Sequence, residues 1–328
     1  MRIALLPRRL LTPAGFESDS CLLVEDGRIA AFLSADECPD DADPHKLDGD
    51  LLPGFIDLQA NGGGGVLFND EPNVEGIAAI AAAHRRFGTT GLFPTLISDE
   101  LDVVAMAIAA VDAAIEAGVP GLLGIHIVGP FLNAARQGIH DASKFRTLDA
   151  ETIDLLCSLK HGRTLVTLAP ELAPAGAIGT LVERGVIVAA GHTDGSYEEV
   201  RGALDEGLTG FTHLYNAMTQ LGSRAPGAVG AALEDRASWC GLIVDGHHVH
   251  AAALRIALAA RGADRLLLVT DAMPTVGSDR KTFVLGGQTI VAEDGSCVAP
   301  DGTLAGSDLD MATAVRNAER LMHVDHAT

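Results

Sequence analysis

The sequence predicts a (β/α)8 barrel of the TIM type, with a small β-domain formed by its N-terminal segment. Three observations carry that prediction. Eight short apolar runs follow residue 50, at 54–59, 91–96, 122–128, 164–169, 186–191, 209–213, 240–246 and 266–271. Most are separated by helix-like stretches, at 75–87, 100–117, 148–160, 174–184, 196–207 and 249–261. Each run ends in glycine or polar residues, where a barrel of parallel strands carries its functional groups. Continuous apolar strands alternating with helices imply a parallel sheet covered on both faces. A doubly wound sheet is the alternative. It needs fewer strands and a dinucleotide fingerprint, and Gly62-Gly63-Gly64-Gly65 lacks the G-x-G-x-x-G spacing.

Taken in order, Cys21–Val24 and Arg28–Leu33 flank Glu25-Asp26-Gly27 and read as a hairpin whose Asp-Gly turn tolerates positive φ. The acidic stretch from Asp36 to Asp50 reads as a boundary, giving a small domain over 1–50 and a barrel over 51–328. Residues 283–303 break the alternation. Thr282–Leu285, Gly286-Gly287 and Gln288–Ala292 read there as a β-hairpin excursion.

A length of 328 residues suits one large domain with a small one. With 23 basic against 44 acidic residues, the net charge of −21 disfavours nucleic acid and anionic membranes as partners. Any phosphate must be held by a local basic pocket. The five cysteines are scattered without a C-x-x-C, which fits a reducing compartment and no disulfide framework. Pro7, Arg8 and Arg9 interrupt the first apolar run, so no signal peptide is read there. No run reaches the ~18 apolar residues of a membrane span. The expected location is cytoplasmic.

The candidate strand ends read Asp57-Leu58-Gln59-Ala60-Asn61, His126-Ile127-Val128-Gly129-Pro130, Gly191-His192-Thr193-Asp194, Thr212-His213-Leu214-Tyr215-Asn216, Asp245-Gly246-His247-His248 and Thr270-Asp271-Ala272. Of the 12 histidines, His126, His192, His213 and His248 close or nearly close an apolar run. One such histidine is ordinarily a hydrogen-bonded core residue. Several of them, with an aspartate on the last strand, shift the balance to a metal site. That set suits amide hydrolysis: imidazoles hold an ion that activates water, and a carboxylate such as Asp271 carries the proton to the leaving amine. The bland reading of Asp271 is a loop cap.

The segments Leu52–Asp57 with Asn61-Gly62, Gly124–Phe131, Gly191-His192-Thr193, Thr212–Met218, Asp245–Val249 and Thr270-Asp271-Ala272 together resemble the amidohydrolase superfamily. Within it they resemble the N-acetylglucosamine-6-phosphate deacetylase family, in order along nearly the whole chain. Thr-His-Leu-Tyr-Asn-Ala-Met followed by Asp-Gly-x-His and Thr-Asp-Ala is the specific part; Pro-Gly-Phe-Ile-Asp marks only the superfamily. The resemblance implies His192 and His213 as ligands of one divalent metal, zinc first and ferrous iron as an alternative. It implies Asp271 as general acid/base and His140 as the group polarising the acetyl carbonyl. Ile139, Asn216, the Ala217 backbone, Arg224 and His248 are implied to contact an amino-sugar phosphate, and Leu304-Ala305-Gly306 to line the sugar. A homodimer is implied too, with Arg224 reaching a neighbouring subunit's pocket. On its own residues, Arg224 is a cation in the glycine-rich loop Gly222–Gly227. Its planar fork suits phosphate and equally suits a solvated loop. Gln59-x-Asn61 stands where many superfamily members carry His-x-His, which favours one metal over two.

Two departures qualify the expectation. Val128 occupies the position of the family's metal-ligand Glu, so two imidazoles remain. His126 lies about 6.6 Å deeper along its strand, and Asp194 is a conceivable substitute. The chain also reaches Thr328 without the strands with which family members complete the small β-domain. The expected activity is deacetylation of N-acetylglucosamine 6-phosphate to glucosamine 6-phosphate and acetate. The alternatives are the galactosamine epimer and, from another class, a sugar-phosphate binder without turnover, which Val128 and the short C-terminus favour.

Overall fold

The structure, a computed structural model, describes residues 1–325 and 327. The chain divides into two compact units, one holding Met1–Gly54 together with Asp325, the other Phe55–Val324. The first contains a four-stranded sheet ordered Arg28–Ser34, Ser20–Glu25, Arg2–Leu6, Asp43–Lys46, and a three-stranded sheet of Gly15–Glu17, Arg9–Thr12 and Asp50–Leu51. The turn between Ser20–Glu25 and Arg28–Ser34 has φ of 48° at Asp26 and 77° at Gly27, the two positive values that match the twist of a hairpin. Its core is small, with Ala4, Cys21, Leu23 and Ala42 buried.

The second unit is the (β/α)8 barrel. Its strands are β1 (Phe55–Ala60), β2 (Thr89–Ile97), β3 (Gly124–Val128), β4 (Arg163–Leu168), β5 (Ile187–Ala190), β6 (Gly210–Phe211), β7 (Trp239–Leu242) and β8 (Leu266–Leu268). Each pairs in parallel with the next, and the sheet runs β8 to β1 in unbroken order. Just past β8, Ala272 bridges Ala60, and its carbonyl accepts from the N–H groups of Asn61 at 2.8 Å and Gly62 at 3.0 Å. The eighth strand's end is thereby tied to the first.

The strands are mostly apolar because both faces are covered; every residue of β3, His126 included, is buried. The covering helices are α1 (Val74–Arg85), α2 (Leu101–Glu116), α3 (Ala150–Leu156), α4 (Ala177–Glu183), α5 (Tyr197–Asp205), α6 (Gly227–Glu234), α7 (Ala251–Arg261) and α8 (Met311–Met322). Several of their starts are capped: Asn73 accepts from Gly76 N–H, Ser196 and Glu199 form a capping box, and Asp310 accepts from Thr313 N–H. Ile77 and Ile80 of α1 join Val104, Ile108 and Val111 of α2 in the main core. Each such side chain contributes about 1.5–3 kcal/mol.

Between β8 and α8 an antiparallel sheet of Thr282–Leu285, Gln288–Glu293, Ser296–Val298 and Leu304–Ser307 leaves the alternation. It packs on its own core of Phe283, Ile290, Cys297, Ala299 and Ala305. Its last strand returns to the barrel: Ser307 N–H donates to the Asp271 carbonyl and Met273 N–H to the Ser307 carbonyl, both at 2.9 Å. Gly306, at φ 68°, has no room for a side chain, since a Cβ there would lie 2.7 Å from the Asp271 carbonyl oxygen. That approach is what sets Leu304–Gly306 beside Asp271.

Candidate active site

The polar strand ends converge at the C-terminal mouth of the barrel. Among the described residues nine non-glycine positions have positive φ, and five gather here: His192 (49°), His213 (35°), Tyr215 (80°), Ala217 (51°) and Asp271 (52°). Each costs about 1–3 kcal/mol and persists only where the surroundings over-determine it. They bend the chain sharply after β5, β6 and β8, so that side chains turn into a cavity of about 380 Å³.

His192 and His213 meet there with their Nε2 atoms 3.0 Å apart. His192 Nδ1–H donates to the Arg136 carbonyl at 2.8 Å, so its Nε2 presents a lone pair. His213 Nδ1 is buried without a hydrogen-bond partner among the described residues. Two orientations follow: His213 gives its one proton to His192 and leaves Nδ1 idle, or both Nε2 lone pairs face a common point. A cation suits the second, since tetrahedral zinc with ~2.05 Å bonds sets its nitrogens about 3.3 Å apart. Two donors of a divalent-ion site are thus present. Among the described residues no group of three or more His, Cys, Asp or Glu side chains is placed to hold a metal. Val128 ends β3 fully enclosed, 1% exposed.

Asp271 is held from the opposite side of the barrel seam. Its Oδ1 accepts from Gln59 Nε2 at 2.8 Å and Asn61 Nδ2 at 2.7 Å, both from the β1 end. Oδ2 has no protein partner among the described residues. Below, Asp57 is wholly buried and accepts from Thr270 Oγ1 at 2.5 Å and Gln59 N–H at 3.1 Å. Burial pushes its carboxyl up, against the pull of His84.

Burial also dominates the imidazoles. His140 is pushed down to about 3 by burial and then by neighbouring His213. His192 is held well below the usual range by burial, His140 and His213; His213 is lowered by burial although Asp271 opposes it. Three neutral rings result, the form that can bind a metal. His140 stacks edge-on against His192 with centroids 4.4 Å apart. Its Nδ1 accepts from Ser98 N–H at 3.3 Å and lies 2.8 Å from Ser98 Oγ, so the ring proton sits on Nε2. His248 behaves oppositely. Burial alone would lower it, but the Asp245 carboxylate 2.5 Å away prevails and raises it, while Asp245 is itself lowered.

Of the residues singled out in the sequence, Ile139, His192, His213, Asn216, Ala217, His248, Asp271, Leu304 and Gly306 line this one cavity. His140 stands buried behind His192. Three side chains fall elsewhere. Ala305 is fully buried in the core of the returning sheet, because strand alternation turns it away from its lining neighbours. Arg224 lines a separate cavity of about 450 Å³ with Ser196 and Thr219. Asp194 is paired to Arg136 Nε at 2.8 Å, half-exposed, and lines the Arg224 cavity rather than the histidine one. It is no replacement ligand. Neither is His126, whose Nδ1–H donates to Leu58 carbonyl at 2.8 Å and whose Nε2 accepts from Thr167 Oγ1 at 2.7 Å.

Sequence reasoning missed Arg136, which lines both cavities, and Glu171, which fixes the His192 loop. Glu171 accepts from Asn133 Nδ2, Thr193 Oγ1 and Asp194 N–H at 2.9, 2.5 and 2.7 Å. Neither sits at one of the strand ends singled out in the sequence, nor in a motif that carries the family resemblance.

Residues 51–322 match the Amidohydrolase family. The chain is 42% identical to an N-acetylgalactosamine-6-phosphate deacetylase of Shewanella sp. (strain ANA-3), over 94% of this chain and 79% of that protein. It is 31% identical to the N-acetylglucosamine-6-phosphate deacetylase of Haemophilus influenzae, over 99% and 86% of the two. The crystal structure of N-acetylglucosamine-6-phosphate deacetylase from Pasteurella multocida superposes with a TM-score of 0.95 at 32% identity, covering 100% of this chain and 86% of that one. The barrel, its histidine-lined mouth and these similarities agree: this chain belongs to the amidohydrolase family, alongside the amino-sugar-6-phosphate deacetylases.

Proposed function

We propose that the chain deacetylates N-acetylglucosamine 6-phosphate, releasing acetate and glucosamine 6-phosphate. The observation that carries this reading is the facing pair His192 and His213 in one cavity with an Asp271 carboxylate whose Oδ1 is clamped by two amides. With Oδ1 engaged, Oδ2 is the atom left to take a proton from water and return it to the departing amine. His140 carries its proton on Nε2 and serves as donor to the oxyanion. A divalent ion held by His192 and His213, zinc or ferrous iron, supplies Lewis-acid activation of water when bound. Asn216, the Ala217 backbone, Ile139 and the Leu304–Gly306 strand position the sugar.

A second reading, the galactosamine epimer, has a specific support in the 42% identical relative. Acetate release measured on both 6-phosphates decides between them through kcat/KM, and silence on both with zinc supplied overturns the proposal. Arg224, outside the cavity of its own chain, supports a homodimer in which it serves the partner's site. The unpaired cysteines support a cytoplasmic setting, and no helix among the described residues is long and apolar enough to cross a membrane.

Among the described residues two cationic groups reach the cavity, Arg136 and the Asp245-supported His248. The phosphate of the substrate is expected to bind between them. Above pH about 7 a phosphate monoester is already dianionic, so further change in KM reports the protein. As pH climbs through the raised pKa of His248 its charge is lost, and KM for the phosphorylated sugar is expected to rise. H248Q should flatten that rise. R136Q should increase KM at every pH, while neither change affects unphosphorylated N-acetylglucosamine; equal losses on both sugars would remove the phosphate role.

A further inference from the structure

The N-terminal unit holds a second piece of chemistry, unconnected with deacetylation. Cys21 lies in the strand Ser20–Glu25 and is fully buried; Cys38 follows the short 3-10 turn Ala35–Glu37 and is half-buried. Their sulfurs stand 3.2 Å apart although 17 residues separate them in sequence. That is closer than two unbonded sulfurs rest when they merely fill space. A disulfide needs ~2.05 Å, an approach of roughly one ångström. The apolar residues packed with them are Ala4, Leu6, Leu23, Ala31, Leu33 and Ala42. The other cysteines lie in the barrel unit, with Cys240 and Cys297 buried and Cys157 half-buried.

We infer that Cys21 and Cys38 form a reversible disulfide when the protein meets hydrogen peroxide, Cys38 being the sulfur oxidised first. Cys38 is the sulfur solvent reaches. Its thiolate attacks a peroxide oxygen, the O–O bond breaks, and Cys38 becomes a sulfenic acid as water leaves. Cys21 sulfur then attacks the sulfenic sulfur, the S–S bond forms, and the hydroxyl departs as a second water with the Cys21 proton. The two thiols thus give up two electrons and the peroxide accepts them. Burial pushes the Cys21 thiol up to about 11, which keeps it protonated and slow to meet peroxide itself, so Cys38 is the sulfur that initiates. The bond would close the loop between the second strand of the sheet and the turn after its hairpin. This unit has a small core, and a cross-link that constrains its unfolded chain is stabilising.

The test uses the full chain with hydrogen peroxide as the oxidant, quenched by catalase, alkylated under denaturing conditions and digested without reductant. Two of the five thiols should be lost, in a single peptide pair joining Cys21 to Cys38 that dithiothreitol releases. C38S should leave Cys21 as free thiol, and C21S should strand Cys38 as sulfinic acid. The wild-type map needs no variant to fold. Full retention of all five thiols at peroxide doses that oxidise exposed cysteines would overturn the inference. So would wild-type Cys38 reaching sulfinic acid as fast as in C21S, because Cys21 would then not be the resolving group.

Discussion

Asp271→Asn is expected to lower acetate release by roughly a thousandfold, the scale of a lost general base, with binding of glucosamine 6-phosphate almost unchanged. The clamp on this side chain makes the substitution unusually clean. Gln59 Nε2 and Asn61 Nδ2 both donate to Oδ1, so an asparagine must turn its own carbonyl oxygen toward them. Its amide nitrogen then takes the place of Oδ2, where it has no lone pair to accept a proton. Volume and hydrogen bonds are kept, and only the base is removed. Single-turnover acetate release together with calorimetric binding of the product separates the two effects. Residual turnover within tenfold of wild type would mean that another group moves the proton.

The strands were legible because a barrel strand is buried on both faces, and that burial writes a continuous apolar run such as Gly124–Val128 or Thr164–Leu168 into the chain. The cavity histidines His192 and His213 and Asp271 were legible because the fold confines polar groups of this kind to the ends of those runs. Their roles came from the resemblance rather than from spacing. Other features were not legible, for two physical reasons. The amides that orient Asp271 lie 212 and 210 residues away from it, and no local pattern encodes which strand closes a barrel. Side-chain direction is the second reason. Leu304, Ala305 and Gly306 read as one motif, yet the pleat sends Ala305 into the returning sheet. His126 likewise reads as a strand-end histidine, but both its ring nitrogens are used up within the barrel, the Nε2 side through Thr167 and on to Thr212 at 2.6 Å. Arg136 ends the single 3-10 turn Ala134–Arg136, too short to carry a periodicity that would distinguish it from a solvated cation.

Val128→Glu is expected to convert a two-imidazole site into a three-ligand one, with opposite signs in the absence and presence of zinc. Val128 is 1% exposed, and its carbonyl accepts from Ser98 Oγ at 3.3 Å, the same hydroxyl that borders His140. A carboxylate placed there without a cation is a buried unpaired charge, at an effective penalty of several kcal/mol, so the metal-free variant should melt below wild type. Zinc reverses the order. A ligand present at 100 times its Kd stabilises by about 2.7 kcal/mol, and a carboxylate completing the His192–His213 pair should bring the variant into that regime at zinc levels where wild type gains little. Thermal melts with and without zinc, run on both proteins, read this directly and independently of turnover. Acetate release should rise in parallel, by roughly tenfold or more if metal occupancy limits the wild type at 1.4 kcal/mol per decade. A variant that melts lower and gains nothing from zinc would show that the third donor of this site does not come from the end of β3. A wild type already fully active with zinc would show that two histidines, solvent and substrate suffice.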